Sequence, residues 1–424
     1  MYKEISEIAQ SLLIQSENKI DLGLSRMIEF LRLLGNPHKK LNCIHVGGTN
    51  GKGSTVKYLE GMLKENGLVV GVFHSPYYEV INDQITVNGT YINDDELVHI
   101  IETFKKVNGP KLTEFELLTV IALYYFSVIK KVDIALIEVG MGGEDDSTNV
   151  IEPIASIITN VGMDHKDFLG DSLIEIARKK AGIIKQETPL ISSVIQKEVQ
   201  LLMLEKCRQL GSDCYFINQH FTVESNNNDS LGEKFTFGYN GQKLEDISIP
   251  IACKHQIQNA ALALMTYVLL AEKGMVSMNE TYIRNGLNDV KHEGRFEIIS
   301  TFPFVILDGA HNVEAIEALV KTVQEKFTHK QITIIFSAFK DKPIREMVAE
   351  LAKLKGNIIF TTVPSPRSIT GIEQHNIANI THSTYEENWK LAITEGLQKT
   401  KQNHLLIITG SLNFISVVRK YLKK

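Results

Sequence analysis

A glycine-rich loop between a buried strand and a helix constrains the fold of this chain more than any other segment. Residues 43–46 predict a strand, and the next helix is predicted from about residue 54 to residue 66. The turn between them holds four glycines and Lys52. Glycines let a backbone approach phosphate groups, a helix N-terminus attracts anions, and a lysine supplies a mobile cation. The segment therefore predicts a phosphate-binding loop on an α/β scaffold.

The spacing of this loop departs from the common G-x-x-x-x-G-K-[ST] pattern. Val46 stands where the first glycine would be, and Gly53 follows Lys52. A tight strand-to-helix turn with a surface lysine is the alternative interpretation. The preceding strand, Lys52 and Ser54 together favour the phosphate loop. The candidate nucleotide-binding residues are Gly48, Thr49, Asn50, Gly51, Lys52, Gly53 and Ser54.

The remaining pattern predicts an α/β fold in two domains. Short β-branched runs alternate with amphipathic stretches over most of the length, which is typical of a mainly parallel sheet. Residues 216–250 are polar and predict hairpins or a variable loop region, and the pattern breaks again near residue 294. We expect a phosphate-loop ATPase-like domain over residues 1–294 and a smaller Rossmann-like α/β domain over residues 295–424.

Charge, cysteines and hydropathy exclude several classes of protein. The 45 Lys and Arg residues against 50 Asp and Glu residues leave a formal charge of −5, which gives no support for a nucleic-acid partner, since such a partner usually needs a basic face. The four cysteines form no C-x-x-C pair, which argues against a zinc site and a disulfide framework. The longest apolar stretch, residues 115–129, is shorter than the roughly 20 residues that span a bilayer. We expect a cytoplasmic protein with no membrane partner, and a monomer.

The loop from Gly48 to Ser54 resembles the ATP loop of folylpolyglutamate synthases and their relatives, the Mur peptidoglycan ligases. Eight further segments resemble the folate branch in the same order along the chain. They are residues 138–143, 148–150, 164–165, 180–185, 255–260, 294–297, 308–312 and 409–412. The resemblance runs from about residue 20 to the C-terminus. It implies an ATP-dependent ligase that adds L-glutamate to dihydropteroate, to tetrahydrofolates or to both, through an acyl phosphate.

Two other functions stay open on the sequence. A Mur-type peptidoglycan ligase carries a nucleotide-sugar domain before its ATP loop, whereas 47 residues precede Gly48 here. A non-catalytic, ATP-binding regulatory protein would not need the set Glu138, His165, Lys180 and Asp308, all of which are present. Both observations favour the folate ligase.

Magnesium is implied by the chemistry and by the resemblance. Mg²⁺ prefers hard oxygen ligands, and Glu138 at a predicted strand end is a good candidate. The resemblance implies that Ser75 and His165 join Glu138, although imidazole suits softer metals better. It also implies that Lys180, the lysine before Ala-Gly-Ile-Ile, is carbamylated and binds a second Mg²⁺. Without the resemblance, Lys180 is one of several lysines on a helix face and His165 a structural histidine.

Further nucleotide and glutamate contacts rest on the resemblance. It places Asn259 near the adenine, Arg295 near the phosphates and Asp308 near the nucleotide from the second domain, with the nucleotide between the domains. Lys52, His165, Lys180 and His311 are the candidate catalytic residues. A strand-end turn with capping residues is the alternative for Asp308 and His311. Lys342 and Ser411 are candidate ligands of the incoming glutamate.

The candidate folate-binding residues lie in short segments of the N-terminal half. Asp21 and Leu24 lie in a segment that resembles the pterin-contacting Asp-Leu-Gly-Leu of bifunctional bacterial members. Thr113, Phe115 and Asp146 match the other pterin-side positions. Asp146 is suited to accept from pterin N–H groups, and Phe115 to wall the ring. A helix N-cap for Asp21 and a core position for Phe115 are the alternatives.

Two positions depart from the family pattern. Glu144 follows Gly-Gly where an arginine is usual, and Gln84 occupies the arginine position of a usual Glu-Arg-Ile. The loss of two cations on the folate side predicts weaker binding of polyglutamate tails than of dihydropteroate.

Overall fold

The computed structural model describes residues 22–226, 231–400 and 403–423. These residues form two compact units, and the chain passes from the first to the second for the last time between Val290 and Lys291. The first unit contains the described residues up to 224, residues 235–248 and residues 258–290. The second unit contains the described residues of 225–234, residues 249–257 and the described residues from 291 onward.

An eight-stranded, mainly parallel sheet organises the first unit. Its strands are β1 (Cys43–Gly47), β2 (Val70–Phe73), β3 (Ile85–Val87), β4 (Thr90–Tyr91), β5 (Ile134–Glu138), β6 (Pro153–Ile158), β7 (Leu190–Ser192) and β8 (Cys214–Phe216). The order is β4-β3-β2-β5-β1-β6-β7-β8, with β3 and β4 antiparallel to their neighbours. Strand β1 is buried along its length between β5 and β6. Burial of both faces is typical of a central parallel strand, and it confirms the predicted parallel sheet.

Several helices of the first unit start at residues whose side chains cap them. The helices of this unit are α1 (Ser25–Leu33), α2 (Lys52–Glu65), α3 (Asp94–Phe104), α4 (Glu114–Tyr124), α5 (Lys166–Leu169), α6 (Leu173–Ala181), α7 (Lys197–Gln209), α8 (Lys254–Glu272, which begins in residues of the second unit) and α9 (Glu280–Asn288). Asn93, Thr113 and Ser172 form capping boxes with the glutamates three residues later.

The apolar stretch of residues 115–129 is a core helix. Helix α4 buries Glu116 through Leu123, and a single π turn at Tyr125–Ile129 extends it. Its residues pack in one cluster with Phe30, Phe73 and Ile137. None of the described helices is long and apolar enough to cross a membrane.

The polar segment after β8 forms the predicted hairpin region. Strands β9 (Phe221–Asn226), β10 (Glu233–Tyr239) and β11 (Gln242–Ile249) make a small sheet in the order β11-β10-β9. The tight turn at Asn240 and Gly241, both with positive φ, joins β10 to β11.

A six-stranded sheet organises the second unit. Its strands are β12 (Glu297–Thr301), β13 (Phe304–Asp308), β14 (Gln331–Phe336), β15 (Asn357–Thr362), β16 (Ser383–Asn388) and β17 (His404–Thr409), in the order β12-β13-β17-β14-β15-β16. The helices are α10 (Val313–Lys326), α11 (Ile344–Ala352), α12 (Gly371–Ala378), α13 (Trp389–Lys399) and α14 (Leu412–Leu422). Strands β13 to β17 are parallel, as predicted.

Two strands of the second unit differ from the sequence prediction. The series that starts near Phe296 was expected to be β-α-β, but β12 and β13 form an antiparallel pair first. Strand β16 was not predicted, because its residues are half-buried or exposed and form no apolar run. Both lie at edges of the sheet, where the hydrophobic pattern is weakest.

Candidate functional site

The predicted phosphate loop connects β1 to α2 at the carboxyl edge of the first sheet. Gly48 has φ of 142° and Gly51 has φ of 85°, conformations that favour glycine. A Cβ atom on Gly48 would collide with the Thr159 hydroxyl, and one on Gly51 would collide with the Asn259 side chain. The loop therefore needs glycine at these positions for backbone shape and for close packing.

Residues after β6 hold the loop in place, which the sequence did not predict. The amides of Thr49 and Asn50 donate to Asn160 Oδ1 at 3.2 and 2.8 Å. Thr159 Oγ1 donates to the Asn50 carbonyl at 2.6 Å. Because the Thr49 and Asn50 amides point toward Asn160, the amides left for an anion are those of the first turn of α2, which have no intrahelical acceptor.

Lys52 and Glu138 supply opposite charges at this loop. Lys52 Nζ donates to the Gly48 carbonyl at 3.1 Å, so the cation lies over the loop. Glu138 ends β5, pairs in register with Val46, and is 5% exposed. A Cβ atom on Gly53 would lie 3.4 Å from Glu138 Oε2, which places the carboxylate against the first turn of α2. An anion bound at this turn would therefore lie close to a carboxylate that a cation must neutralise.

The other predicted metal ligands lie on separate loops and helices. Ser75 follows β2 at a cis Ser75–Pro76 bond. His165 precedes α5 in a left-handed conformation, with Nε2 3.9 Å from Asp164 Oδ2. Among the residues that the structure describes, no three His, Cys, Asp or Glu side chains converge as a metal-binding group. A metal here would also need oxygen ligands from outside that set, such as the Ser75 hydroxyl and the carbamate of a carbamylated Lys180.

The two adjacent lysines of α6 have different surroundings. Lys180 is 3% exposed, whereas the side chain of Lys179 is 37% exposed. Lys179 Nζ lies 2.7 Å from Asp145 and 3.1 Å from Glu144, and these carboxylates raise its pKa. The structure thus separates a solvent-facing, ion-paired lysine from a buried one.

The predicted folate residues lie around Gly140. A Cβ atom on Gly140 would be 2.6 Å from the Phe115 ring and 3.1 Å from Asp146 Oδ2. The Phe115 ring stacks on Phe73, with 5.8 Å between centroids. The Gly23 amide donates to the Asp145 carbonyl at 3.3 Å, which brings the α1 N-terminus and Leu24 to the Asp146 loop. Asp21 lies outside the described residues.

Thr113 and Asp146 are engaged within the protein. Thr113 Oγ1 accepts from the Glu116 amide and caps α4, and Arg26 Nε donates to Glu116 at 3.0 Å. Asp146 is buried, and it accepts from the Met141 amide and from the amide and hydroxyl of Thr148. Burial raises the pKa of Asp146, and these hydrogen bonds oppose the rise.

The two departures from the family pattern have structural partners. Glu144 is ion-paired with Lys179, so a cation does stand beside the position where the family has arginine. Gln84 is 3% exposed and is therefore not part of the outer surface. Its neighbour Asp83 accepts from the amides of Tyr78, Glu79 and Val80 and holds the loop after Ser75.

The predicted residues of the second unit meet at the carboxyl edge of its sheet. Asp308 ends β13 and accepts from the amides of Phe296 and Ala310 at 2.8 and 2.9 Å. Burial raises the pKa of Asp308, and the charge of Arg295 opposes that rise. His311 Nδ1 lies 2.9 Å from the Gly309 carbonyl.

Ser411 and Lys342 follow β17 and β14, two neighbouring strands of which β17 also pairs with β13. Ser411 comes after β17 and caps α14 by accepting from the Phe414 amide at 3.1 Å. Lys342 comes after β14 and lies 3.7 Å from Asp341. Two buried hydroxyls at the same edge were missed: Ser337 and Thr409 have no hydrogen-bond partner among the described residues. A single serine such as Ser337 carries no sequence signal that would identify it, whereas Thr409 lies in the 409–412 segment but was not singled out there as a site residue.

Comparison with known proteins identifies two matching domains along the chain. Residues 46–267 match the Mur ligase middle domain, and residues 294–412 match the Mur ligase glutamate ligase domain. The dihydrofolate synthase/folylpolyglutamate synthase of Bacillus subtilis (strain 168) is 36% identical over 408 residues, 95% of each chain. The folylpolyglutamate synthase of Lacticaseibacillus casei is 31% identical over 406 residues, 94% of each chain.

A solved structure shows the same architecture. The structure of Escherichia coli FolC in complex with DHPP and ADP aligns with a TM-score of 0.88 at 25% identity, covering 99% of this chain and 97% of that one. The fold, the phosphate loop and both domain matches define an ATP-dependent ligase of the Mur ligase type. Within that class, the chain belongs to the dihydrofolate synthase/folylpolyglutamate synthase family, which confirms the family predicted from its motifs.

Proposed function

We propose that this chain joins L-glutamate to dihydropteroate, to reduced folates or to both, with ATP as the second substrate. The observation that carries the proposal is that one unit holds both a phosphate loop beside Glu138 and, packed against Gly140, the Phe115 ring and the buried Asp146 carboxylate. FolC, whose structure holds ADP and DHPP, has the same fold. ADP is the expected product of phosphoryl transfer from ATP, which supports ATP as the phosphoryl donor.

The reaction needs an activated acyl group. The γ-phosphoryl group of ATP passes to the pteroate carboxylate, and ADP leaves. The glutamate amine then attacks the acyl carbon, the C–O bond to phosphate breaks, and the amine loses a proton. First-turn amides of α2 and Lys52 hold the phosphates during the first step, since Lys52 is already at the loop.

Magnesium fits the residues present. Mg²⁺ binds through one or two carboxylates plus substrate phosphates, and Glu138 is a buried carboxylate beside the phosphate loop. We assign Ser75, Glu138, His165 and a carbamylated Lys180 as the residues that would hold two ions. When bound, the ions neutralise charge on the phosphoryl oxygens.

The remaining assignments follow the same family. Asn259, Arg295 and Asp308 are proposed nucleotide contacts, and His311 is a proposed catalytic residue. Leu24, Thr113, Phe115 and Asp146 are proposed pteroate contacts. Lys342 and Ser411 are proposed glutamate contacts, supported by their place on strands that neighbour each other. A monomeric state and a cytoplasmic location remain predictions.

ATP turnover with different acceptors tests the function. We expect phosphate release to require both L-glutamate and a pteroate acceptor, because the acyl phosphate forms only on the acceptor and the glutamate amine then displaces its phosphate. Comparing dihydropteroate with tetrahydrofolate as acceptor decides whether one activity or both are present. Phosphate release that is independent of every pteroate acceptor would contradict the proposal.

Replacing each lysine of the adjacent pair tests the carbamate. We expect Lys180→Ala to lower kcat at least ~100-fold, because a buried ligand of the catalytic ion is lost. The kcat of Lys179→Ala should stay within about threefold of the native value, since the substitution removes only a half-exposed ion pair. Steady-state kinetics in bicarbonate buffer and intact-protein mass measure both effects. A fully active Lys180→Ala protein would exclude the carbamate.

Glutamate tail length tests the departure at residue 144. We expect the native protein to have a lower kcat/KM for triglutamyl folates than for dihydropteroate. We expect Glu144→Arg to raise the kcat/KM for the triglutamyl folates about threefold to tenfold. The physical reason is that Glu144 forms an ion pair with Lys179 and neutralises its charge, so Lys179 attracts an anionic glutamate tail less strongly. Glu152→Arg, a charge reversal at an exposed residue, is the control. Equal specificity constants for all tail lengths in the native protein would refute this prediction.

A further inference from the structure

A buried chain of hydrogen bonds leads from the phosphate-loop strand to the pteroate side. His45 lies in β1, two residues before Gly47, and its side chain is fully buried. His45 Nε2 lies 2.8 Å from Thr148 Oγ1, and Thr148 Oγ1 lies 2.5 Å from Asp146 Oδ1. Thr148 is also fully buried, and Asp146 is 3% exposed. Three polar side chains are thus aligned in the interior, where such groups are costly without partners.

The direction of these hydrogen bonds follows from counting protons. Asp146 Oδ1 accepts from the Thr148 amide at 3.0 Å, and Oδ2 accepts from the Met141 amide at 2.8 Å, so both oxygens face donors. A carboxylate with donors at both oxygens is favoured in its ionised, acceptor-only form. The single hydroxyl proton of Thr148 is then donated to Asp146. The Thr148 oxygen must then accept a hydrogen bond from His45, which requires the Nε2–H tautomer.

The other ring nitrogen of His45 agrees with that tautomer. Nδ1 is buried and has no hydrogen-bond partner among the described residues. As a lone pair it is an unused acceptor, whereas as Nδ1–H it would be a buried donor without an acceptor, which costs more. Burial and the nearby Lys185 ammonium lower the pKa of His45 to about 3, so the ring is neutral at physiological pH.

We propose that Thr148 and His45 are positioning residues that hold the Asp146 carboxylate, ionised and in one orientation, against Gly140 and the Phe115 ring. The same strand carries His45 and leads into the phosphate loop, so β1 supports both Asp146 and the loop. The proposal rests on the proposed function in one respect, that the pteroate ring contacts Asp146.

Removal of the central hydroxyl tests the positioning role. We expect Thr148→Val to raise the KM for dihydropteroate roughly tenfold, because a mispositioned acceptor loses a charge-assisted hydrogen bond to the substrate. The KM for ATP should stay within about twofold. Thr148→Ser keeps the hydroxyl and should restore the native KM for dihydropteroate. Thr266→Val is the matched control, because it removes another fully buried threonine hydroxyl, one that donates to Leu262 within α8.

The tautomer of His45 is tested without reference to activity. Histidine labelled with ¹³C and ¹⁵N in the native protein, with His45→Gln to assign the signal, should show a neutral Nε2–H ring. An Nδ1–H ring or an imidazolium would overturn the proposal, even if Thr148→Val failed to fold. An unchanged KM for dihydropteroate in folded Thr148→Val would also overturn it. If ATP turnover by the native protein required no pteroate acceptor at all, the proposed function would fail instead. The tautomer measurement would still decide whether His45 donates to Thr148.

Discussion

Glu138→Gln is expected to lower kcat/KM for ATP at least ~1000-fold, which corresponds to about 4 kcal/mol of transition-state stabilisation. The substitution keeps the shape of the side chain and removes its charge. Glu138 is buried at the end of β5 and lies against the first turn of α2, where phosphates are expected. An amide binds Mg²⁺ far less well than a carboxylate does. Steady-state kinetics over a range of Mg²⁺ concentrations measure the loss.

A different glutamate, Glu60 on α2, provides the control for this loss. Glu60 lies about two turns along α2 from Lys52 and is half-buried, and desolvation raises its pKa. Glu60→Gln should therefore keep kcat/KM within about threefold, because no reacting group lies near it. If Glu138→Gln behaved like Glu60→Gln, the assignment of Glu138 as a metal ligand would be wrong. Partial recovery at high Mg²⁺ would support the assignment, since it shows weakened binding of the ion.

Gly48→Ala is expected to destabilise the protein by about 4 kcal/mol and to abolish ATP binding. Two costs add. The φ of 142° is rarely adopted by residues with a side chain, and the added Cβ would collide with the Thr159 hydroxyl. The loop must then move away from Thr159 and Asn160, which orient its amides. Urea denaturation measures the stability, and titration with a fluorescent ATP analogue measures binding.

Gly67→Ala separates the cost of the backbone conformation from the cost of the steric collision. Gly67 has φ of 86°, and an added Cβ would meet no atom within 4 Å. Gly67→Ala therefore carries only the backbone cost, which we expect to be about 1 kcal/mol, with ATP affinity unchanged. Adding Thr159→Ala to Gly48→Ala should recover part of the stability, because the hydroxyl that collides is gone. Equal destabilisation by Gly48→Ala and Gly67→Ala would show that the contact with Thr159 is unimportant.

Local sequence signals predicted most of the fold. Buried parallel strands such as β5 and β17 are continuous apolar runs, and the phosphate loop is marked by glycines whose backbone shape no other residue adopts cheaply. The edge strands β12 and β16 were misjudged or missed because they bury only part of their surface. The family itself followed from short motifs in a constant order, and the matched domains confirm it.

The sequence alone therefore determined the α/β class, the glycine-rich connection from β1 to α2 and the ligase family, since each depends on residues that are near neighbours in the chain. Only the tertiary structure decided how individual side chains are used. It showed that Asn160 holds the loop amides, that Lys179 is ion-paired while Lys180 is buried, and that Thr148 links His45 to Asp146. His45 and Thr148 are 103 residues apart. Contacts of that kind arise because parallel strands bring distant segments to one edge of the sheet, and no local pattern records them.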